Sequence, residues 1–353
     1  MDINQLKTLA FAAVKHAPLT FSLNEKEETF SADAVNETLR REFDKLAGNA
    51  RSFRRNKDVI FELIEETIDE VLPVRVEQQY EAFAETRVVP QGDKVVFRKR
   101  ITEASRARAK REFVTRVGLA GRYETFMLDG AELEVTVGAI GGAVRIGFEE
   151  FLDGRIRFDE LTSVILEGMD EFIYVEIAKA LDAAYDDVPT NNVVSANRFD
   201  ERAMDSLLAI ADSYYGGNSI IVCTNEFAGT MVPTTGSGIN YDAFSSGMKD
   251  ELWRNGRLGD YKGHTVVILR QSMVDVTNTE KVIDPANAYI LPSGNERPVK
   301  IAFEGDTAVR ESDDNDDWSR ELHTYKKFGV AVFTNPAMCK YQNTSLSKTI
   351  SRD

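Results

Sequence analysis

Cysteine, histidine and proline are scarce in this 353-residue chain, at two, three and nine residues. Cys223 and Cys339 cannot build a disulfide framework, so a reducing compartment is the default expectation. His16, His264 and His323 are scattered and the cysteines lie far apart, which leaves no zinc-type or catalytic His/Cys spacing. An apolar run of about 18 residues, the minimum for a spanning helix, is missing. Leu9-Ala-Phe-Ala-Ala-Val, with Lys7 before it, is short for a secretory core, and with Met1 still in place no cleaved leader is expected. Gly138-Ala-Ile-Gly141-Gly142 fails the dinucleotide fingerprint, and Gly236-Ser-Gly lacks the Lys-Ser/Thr of a phosphate loop. No carboxylates are recognisably paired for acid–base work, so no cofactor, metal or catalytic residue is expected. Positive charge is also in deficit: 43 Lys and Arg against 58 Asp and Glu give −15, which repels nucleic acid over most of the surface.

One stretch reverses that sign. Between positions 98 and 122 stand Arg98, Lys99, Arg100, Arg106 and Arg108, then Lys110, Arg111, Arg116 and Arg122, against only Glu103 and Glu112. Lys94-Val-Val-Phe-Arg before it and Glu132-Leu-Glu-Val-Thr-Val after it read as strands, making Gly92–Val137 an extended ribbon. With little apolar surface of its own to bury, such a ribbon is expected to project and to find its partner elsewhere. Its aromatics, Phe97, Phe113 and Tyr123, match no nucleic-acid-binding pattern. The opposite sign is available in the same chain, in residues 304–321, where Asp313, Asp314, Asp316 and Asp317 cluster, and in the Glu-rich segment 57–72. Pairing between copies is therefore favoured over DNA.

The other elements follow from periodicity. Ser31 and Asp33 cap a helix Ala34–Leu46 that Gly48 ends. After a basic link Arg51–Lys57, a second helix runs to Leu72 and is stopped by Pro73, its acidic face reading as solvated. After Gly141-Gly142, a further extended piece runs Ala143–Phe148. Phe158–Tyr185 predicts a long amphipathic helix with Leu161, Ile165, Gly168, Phe172 and Val175 along its apolar face and Val164, Met169 and Ile173 alongside. Ser219–Cys223 is a buried strand, Gly263–Leu269 and Asn287–Leu291 are further strands, Thr224 opens a short helix, and Phe328–Phe333 is the last strand. The class is α+β.

In this order, a helical arm, a two-stranded loop, a long helix, an α+β unit and a returning strand resemble the major capsid proteins of tailed bacteriophages, the Hong Kong 97-type fold. Ser219-Ile-Ile-Val-Cys-Thr-Asn-Glu-Phe and Leu252-Trp-Arg-Asn-Gly-Arg-Leu-Gly-Asp-Tyr-Lys-Gly-His-Thr-Val-Val are similar to that family's strand–helix and glycine-turn–strand steps. The resemblance implies an N-terminal arm (1–72), an extended β-hairpin loop with its approach strands (73–140), and a peripheral domain with a spine helix (141–198). An axial domain (199–321) and returning peripheral strands with a tail (322–353) complete it. It also implies a non-enzymatic shell subunit that forms hexamers and pentamers around packaged double-stranded DNA, assembled in the host cytoplasm. Scaffolding, portal and decoration proteins would be separate partners, DNA would be touched weakly, and no membrane would be involved. The arm, too small for its own core, is expected to dock on adjacent subunits first, or to fold along its own spine helix second. An encapsulin-like compartment and a DNA-binding accessory protein are the alternatives.

Overall fold

The computed structural model describes residues 3–14, 19–23, 26–30, 32–47, 50–99, 101–102, 105, 109, 130–146, 158–215, 219–232, 245–292, 297–312 and 320–350. The first half runs α1 (Ile3–Val14), β1 (Leu19–Leu23), β2 (Lys26–Phe30), α2 (Ala32–Ala47), α3 (Ala50–Tyr80), β3 (Ala84–Val89), β4 (Val95–Lys99), β5 (Ala131–Val135), β6 (Gly138–Ile146) and α4 (Phe158–Ala184). Then come β7 (Val193–Ala196), α5 (Glu201–Tyr215), β8 (Ser219–Thr224), α6 (Asn225–Thr230), α7 (Ser246–Asn255), β9 (Asp260–Tyr261) and β10 (His264–Leu269). The chain closes through β11 (Asn287–Pro292), β12 (Val299–Ser312), β13 (Arg320–Val332) and β14 (Cys339–Asn343).

Alternation along the strands sorts the molecule into layers. A four-stranded sheet has the order β3-β12-β13-β6. Val299, Ile301 and Phe303 of β12 and Phe328, Val330 and Val332 of β13 face a core shared with α3 and α4, while Ala302 and Ala331 face the other side. A six-stranded sheet has the order β7-β14-β11-β8-β10-β9. Its centre, β8 and β11, is buried on both faces, which is why those segments read as unbroken apolar runs. Ile221, Cys223, Ala288 and Ile290 pack against Met204, Leu207 and Leu208 of α5, whereas Ile220, Val222, Tyr289 and Leu291 join the core around α4. Thr224 caps α6 by accepting from the Phe227 amide.

The chain passes between sheets more often than expected. Val299–Ser312, expected within 199–321, pairs in the four-stranded sheet, and β13 is followed by β14, which returns to the six-stranded one. Helix α4 bridges the two. Its Asp182 accepts from the Tyr289 hydroxyl at 2.5 Å and Lys340 at 3.0 Å, and Glu171 pairs with Arg270 at 2.6 Å.

Several expectations need correction. Pro73 lies buried inside α3, which continues to Tyr80 and also absorbs the supposed basic link. Proline in a helix interior costs about 3 kcal/mol. Burial of Val71, Leu72, Val76 and Tyr80 around it outweighs that cost. Gly141 and Gly142 lie within the single strand β6 rather than before a new one. Helix α4 buries Ile165, Met169, Ile173, Ile177 and Leu181, while Val164 and Phe172 are 59% and 47% exposed. Apolar residues circle so much of this helix that periodicity alone could not choose the face. Of the two places expected for the arm, the second is the one seen: Leu6, Leu9 and Ala10 of α1 and Val35 and Leu39 of α2 are buried in the core shared with α3 and α4. The hairpin β1–β2 was not anticipated.

The acidic face of α3 is not a solvated face either. β12 shifts register between Glu304 and Ala308, with Gly305 at φ +69°, and the kink leaves amides without strand partners. Asp69 accepts from the Thr307 amide at 3.0 Å, from its hydroxyl at 2.5 Å, and from buried Lys326. Glu65 accepts from the Val309 amide at 2.6 Å, and Glu62 and Glu66 hold Lys7 of α1 at 3.1 and 2.5 Å.

Candidate assembly interface

The ribbon is an antiparallel pair, β4 with β5, in the register Val95↔Val135, Phe97↔Leu133 and Lys99↔Ala131. Charged side chains meet across it: Lys94 with Glu134 at 2.7 Å and Arg98 with Glu132 at 2.9 Å. Contrary to expectation, its root has apolar surface and uses it within its own subunit. Val95, Phe97 and Val135 are buried against Ala302, on the sheet face opposite the helices. A glycine permits this close approach: a Cβ on Gly329 of β13 would stand 2.3 Å from the Thr136 carbonyl oxygen. At the turn before β4, the Gly92 amide (φ +91°) donates to Glu304 at 3.0 Å, and Lys327 adds a 2.8 Å pair. Those hydrogen bonds, Lys327 first, hold the Glu304 carboxyl below its ordinary range.

Beside the root lies a pocket of about 200 Å³ lined by Glu85, Arg87, Arg98, Lys99, Arg297 and Lys300, with Phe97 and Phe333 as apolar walls. Lys300 is 7% exposed and donates to Glu85. Burial would raise the Glu85 carboxyl, but hydrogen bonds and charge from Lys300 and Arg87 bring it below its usual range. The Arg87 guanidinium also lies 4.4 Å from the Phe97 ring centre.

Of the expected contact residues, Arg98 and Lys99 are thus at the root and mouth of this pocket. Arg100, Arg106, Arg108, Lys110, Arg111, Arg116 and Arg122, and Asp313, Asp314, Asp316 and Asp317, lie outside the described residues. Arg87, Arg297 and Lys300 were not singled out, because Arg87 stands alone in β3 and Arg297 and Lys300 form only a sparse pair more than 200 residues away. Only sheet register brings them together.

One grouping among the described residues resembles a catalytic set. Ser219, His264 and Asp212 do meet, with Ser219 Oγ 3.0 Å from His264 Nδ1 and 3.1 Å from Asp212 Oδ1. His264 Nε2 stands 3.4 Å from Asp212 Oδ2, so the three close a ring in which Ser219 is buried away from any approaching substrate. Burial pushes the Cys223 and Cys339 thiols up to about 12. Among the described residues no cluster could hold a metal ion, and no helix is long and apolar enough to cross a membrane.

In fold this architecture is similar to solved capsid subunits. The capsid of the native GTA particle superposes with a TM-score of 0.50 at 16% identity, covering 75% of this chain and 89% of that one. The capsid of the empty GTA particle gives 0.51 at 14%, covering 75% and 89%. The mature capsid of bacteriophage PhiM1 gives 0.48 at 12%, covering 74% and 86%. No curated protein sequence matches the chain. The model of the family described as "SPbeta prophage-derived putative capsid protein YonB" matches residues 4–341. The chain belongs to that family, and is a structural subunit of a phage capsid.

Proposed function

We propose that copies of this chain close into an icosahedral shell of hexamers and pentamers around double-stranded DNA. In that reading the six-stranded sheet with α5 is the axial domain and gathers at the five- and six-fold axes. The four-stranded sheet with α4 as spine is the peripheral domain, and the ribbon is the extended loop that reaches over a neighbour. Assembly takes place in the host cytoplasm, with scaffolding, portal and decoration proteins supplied separately.

The observation that carries the reading is the division of the ribbon. Its root is fixed by apolar contacts and Gly329 on its own sheet, while residues 100–130, with seven of the nine cations counted above, continue beyond the paired ends. A highly charged segment whose root is fixed in this way suits contact with another copy of an acidic chain. The acidic balance also suits a container whose wall must not grip its DNA.

The test is expression of the full chain, with sedimentation and negative-stain imaging of the product. Closed hollow particles with five- and six-fold clusters are expected. A chain that stays monomeric or dimeric at high concentration refutes the proposal. Shells that enclose protein cargo in place of nuclease-protected DNA would move the protein to the compartment class. Salt-dependent DNA binding by the soluble chain without shells would move it to the accessory class.

A further inference from the structure

We propose that the pocket at the ribbon's root is the receptor for the acidic segment 312–319 of a second copy of the chain. This deepens the shell reading and rests on it.

The pocket is built for anions. Five cations line it against one carboxylate, Glu85, and its floor is Lys300, a buried ammonium 5.3 Å from the Phe97 ring centre and 5.9 Å from that of Phe333. Two further acidic side chains among the described residues, Glu81 on Arg297 and Glu132 on Arg98, are 67% and 64% exposed, and such exposed pairs hold their partners weakly. A volume of about 200 Å³ accommodates one or two carboxylate side chains. Guanidinium forks at Arg87, Arg98 and Arg297 suit the planar, two-oxygen geometry of those groups.

The occupant follows from charge and reach. Four carboxylates of α3, Glu62, Glu65, Glu66 and Asp69, are already engaged by Lys7, Thr307, Val309 and Lys326. Residues 313–319 carry Asp313, Asp314, Asp316 and Asp317 with no cation among them. Their own subunit cannot deliver them. Ser312 pairs with Glu321 at one end of the β12–β13 ladder, and Val299 pairs with Val332 at the other. The pocket, with Arg297, Pro298 and Phe333, lies at the Val299 end. The two ends are separated by roughly 40 Å of strand at about 3.3 Å per residue. A segment of seven residues tethered at both ends extends only about 12 Å beyond them. The acid must come from another copy.

The test uses the full chain in two arms. First, R297C and D314C are combined, the native thiols being buried and out of the way. After assembly and mild oxidation, a denaturing gel should show disulfide-linked dimers and longer ladders in the double variant and not in either single variant. Monomer bands alone from normally formed shells overturn the pocket assignment and leave the shell reading intact. Failure of the unmodified chain to form shells overturns the shell reading itself. Second, R87E/R297E and D313K/D314K should each lower shell yield about tenfold at roughly 0.15 M salt, and the four together should recover it. No recovery, or a pocket reversal that changes nuclease-protected nucleic acid while shell yield stays constant, refutes the proposal; the latter assigns the pocket to DNA.

Discussion

Replacing Asp69 by alanine tests how the arm-bearing helix is locked to the kinked strand. Asp69 serves three donors at once: the Thr307 amide, the Thr307 hydroxyl and the Lys326 ammonium. The Lys326 side chain is 1% exposed while that of Asp69 is 25% exposed, so the substitution leaves a buried cation facing a gap that water reaches from one side only. Removing one partner of a buried pair costs about 3–5 kcal/mol, and each orphaned donor about 1–3 kcal/mol. These costs overlap, and water entering past α3 offsets part of them, so about 3 kcal/mol is expected for D69A. The double variant D69A/K326M removes the stranded charge and is expected to recover most of that loss. Urea unfolding of the dissociated subunit, followed by circular dichroism, gives both values as midpoint shifts at constant slope. A D69A subunit within about 0.5 kcal/mol of the parent, or a double variant no more stable than D69A, would refute the argument.

Three further outcomes are expected. G329A should lift the ribbon root from β13, costing about 1–3 kcal/mol and deprotecting the amides of Val95–Lys99 in hydrogen exchange. G142A, whose added Cβ finds nothing nearer than 3.9 Å, should be tolerated, and equal behaviour of the two would discard the close-approach explanation. Cys223 and Cys339, with thiols pushed up to about 12 by burial, should resist a thiol reagent in the native chain and react fully in denaturant; a thiol reactive in the folded state contradicts the burial. Burial raises the Asp170 carboxyl above its ordinary 3.8, more than Arg75 and Arg270 lower it. The folded state therefore binds the extra proton, and stability falls as pH rises from the ordinary value through the raised one. D170N should raise Tm at about pH 7 and flatten that dependence, and an unchanged profile would show the group to be paired well enough to stay charged.

What could be read from the sequence was whatever a short segment decides alone. Ser219–Thr224 and Asn287–Pro292 are buried on both faces, so their composition announces them. Thr224 caps its helix with its own hydroxyl, and the ribbon's strands pair within two residues of their expected ends. What failed depends on distant segments. Pro73 stands inside a helix because the core around it is large, and α1 and α2 found that same core although neither patch suffices alone. The acid face of α3 resembles a solvated face until the kink at Gly305 supplies its donors.

The ribbon joins both kinds of information. Its charge, legible at once, concerns reach: cations that lack carboxylates nearby must be solvated or paired by something outside the segment. Its position is set instead by Phe97, Val95, Val135 and Gly329, ordinary residues whose meeting depends on sheet register. The same register draws Arg87 and the Arg297–Lys300 stretch from distant parts of the chain to one pocket beside Arg98 and Lys99. Binding energy therefore does not have to reside in the basic tip that dominates the composition. A charge at the root is held on a fixed sheet and loses less entropy on pairing than one at the end of a long extension. Reversing two root charges should accordingly impair assembly more than reversing Arg106 and Arg108, with shell yield across a salt series as the measure. The opposite ranking would place the recognition in the tip.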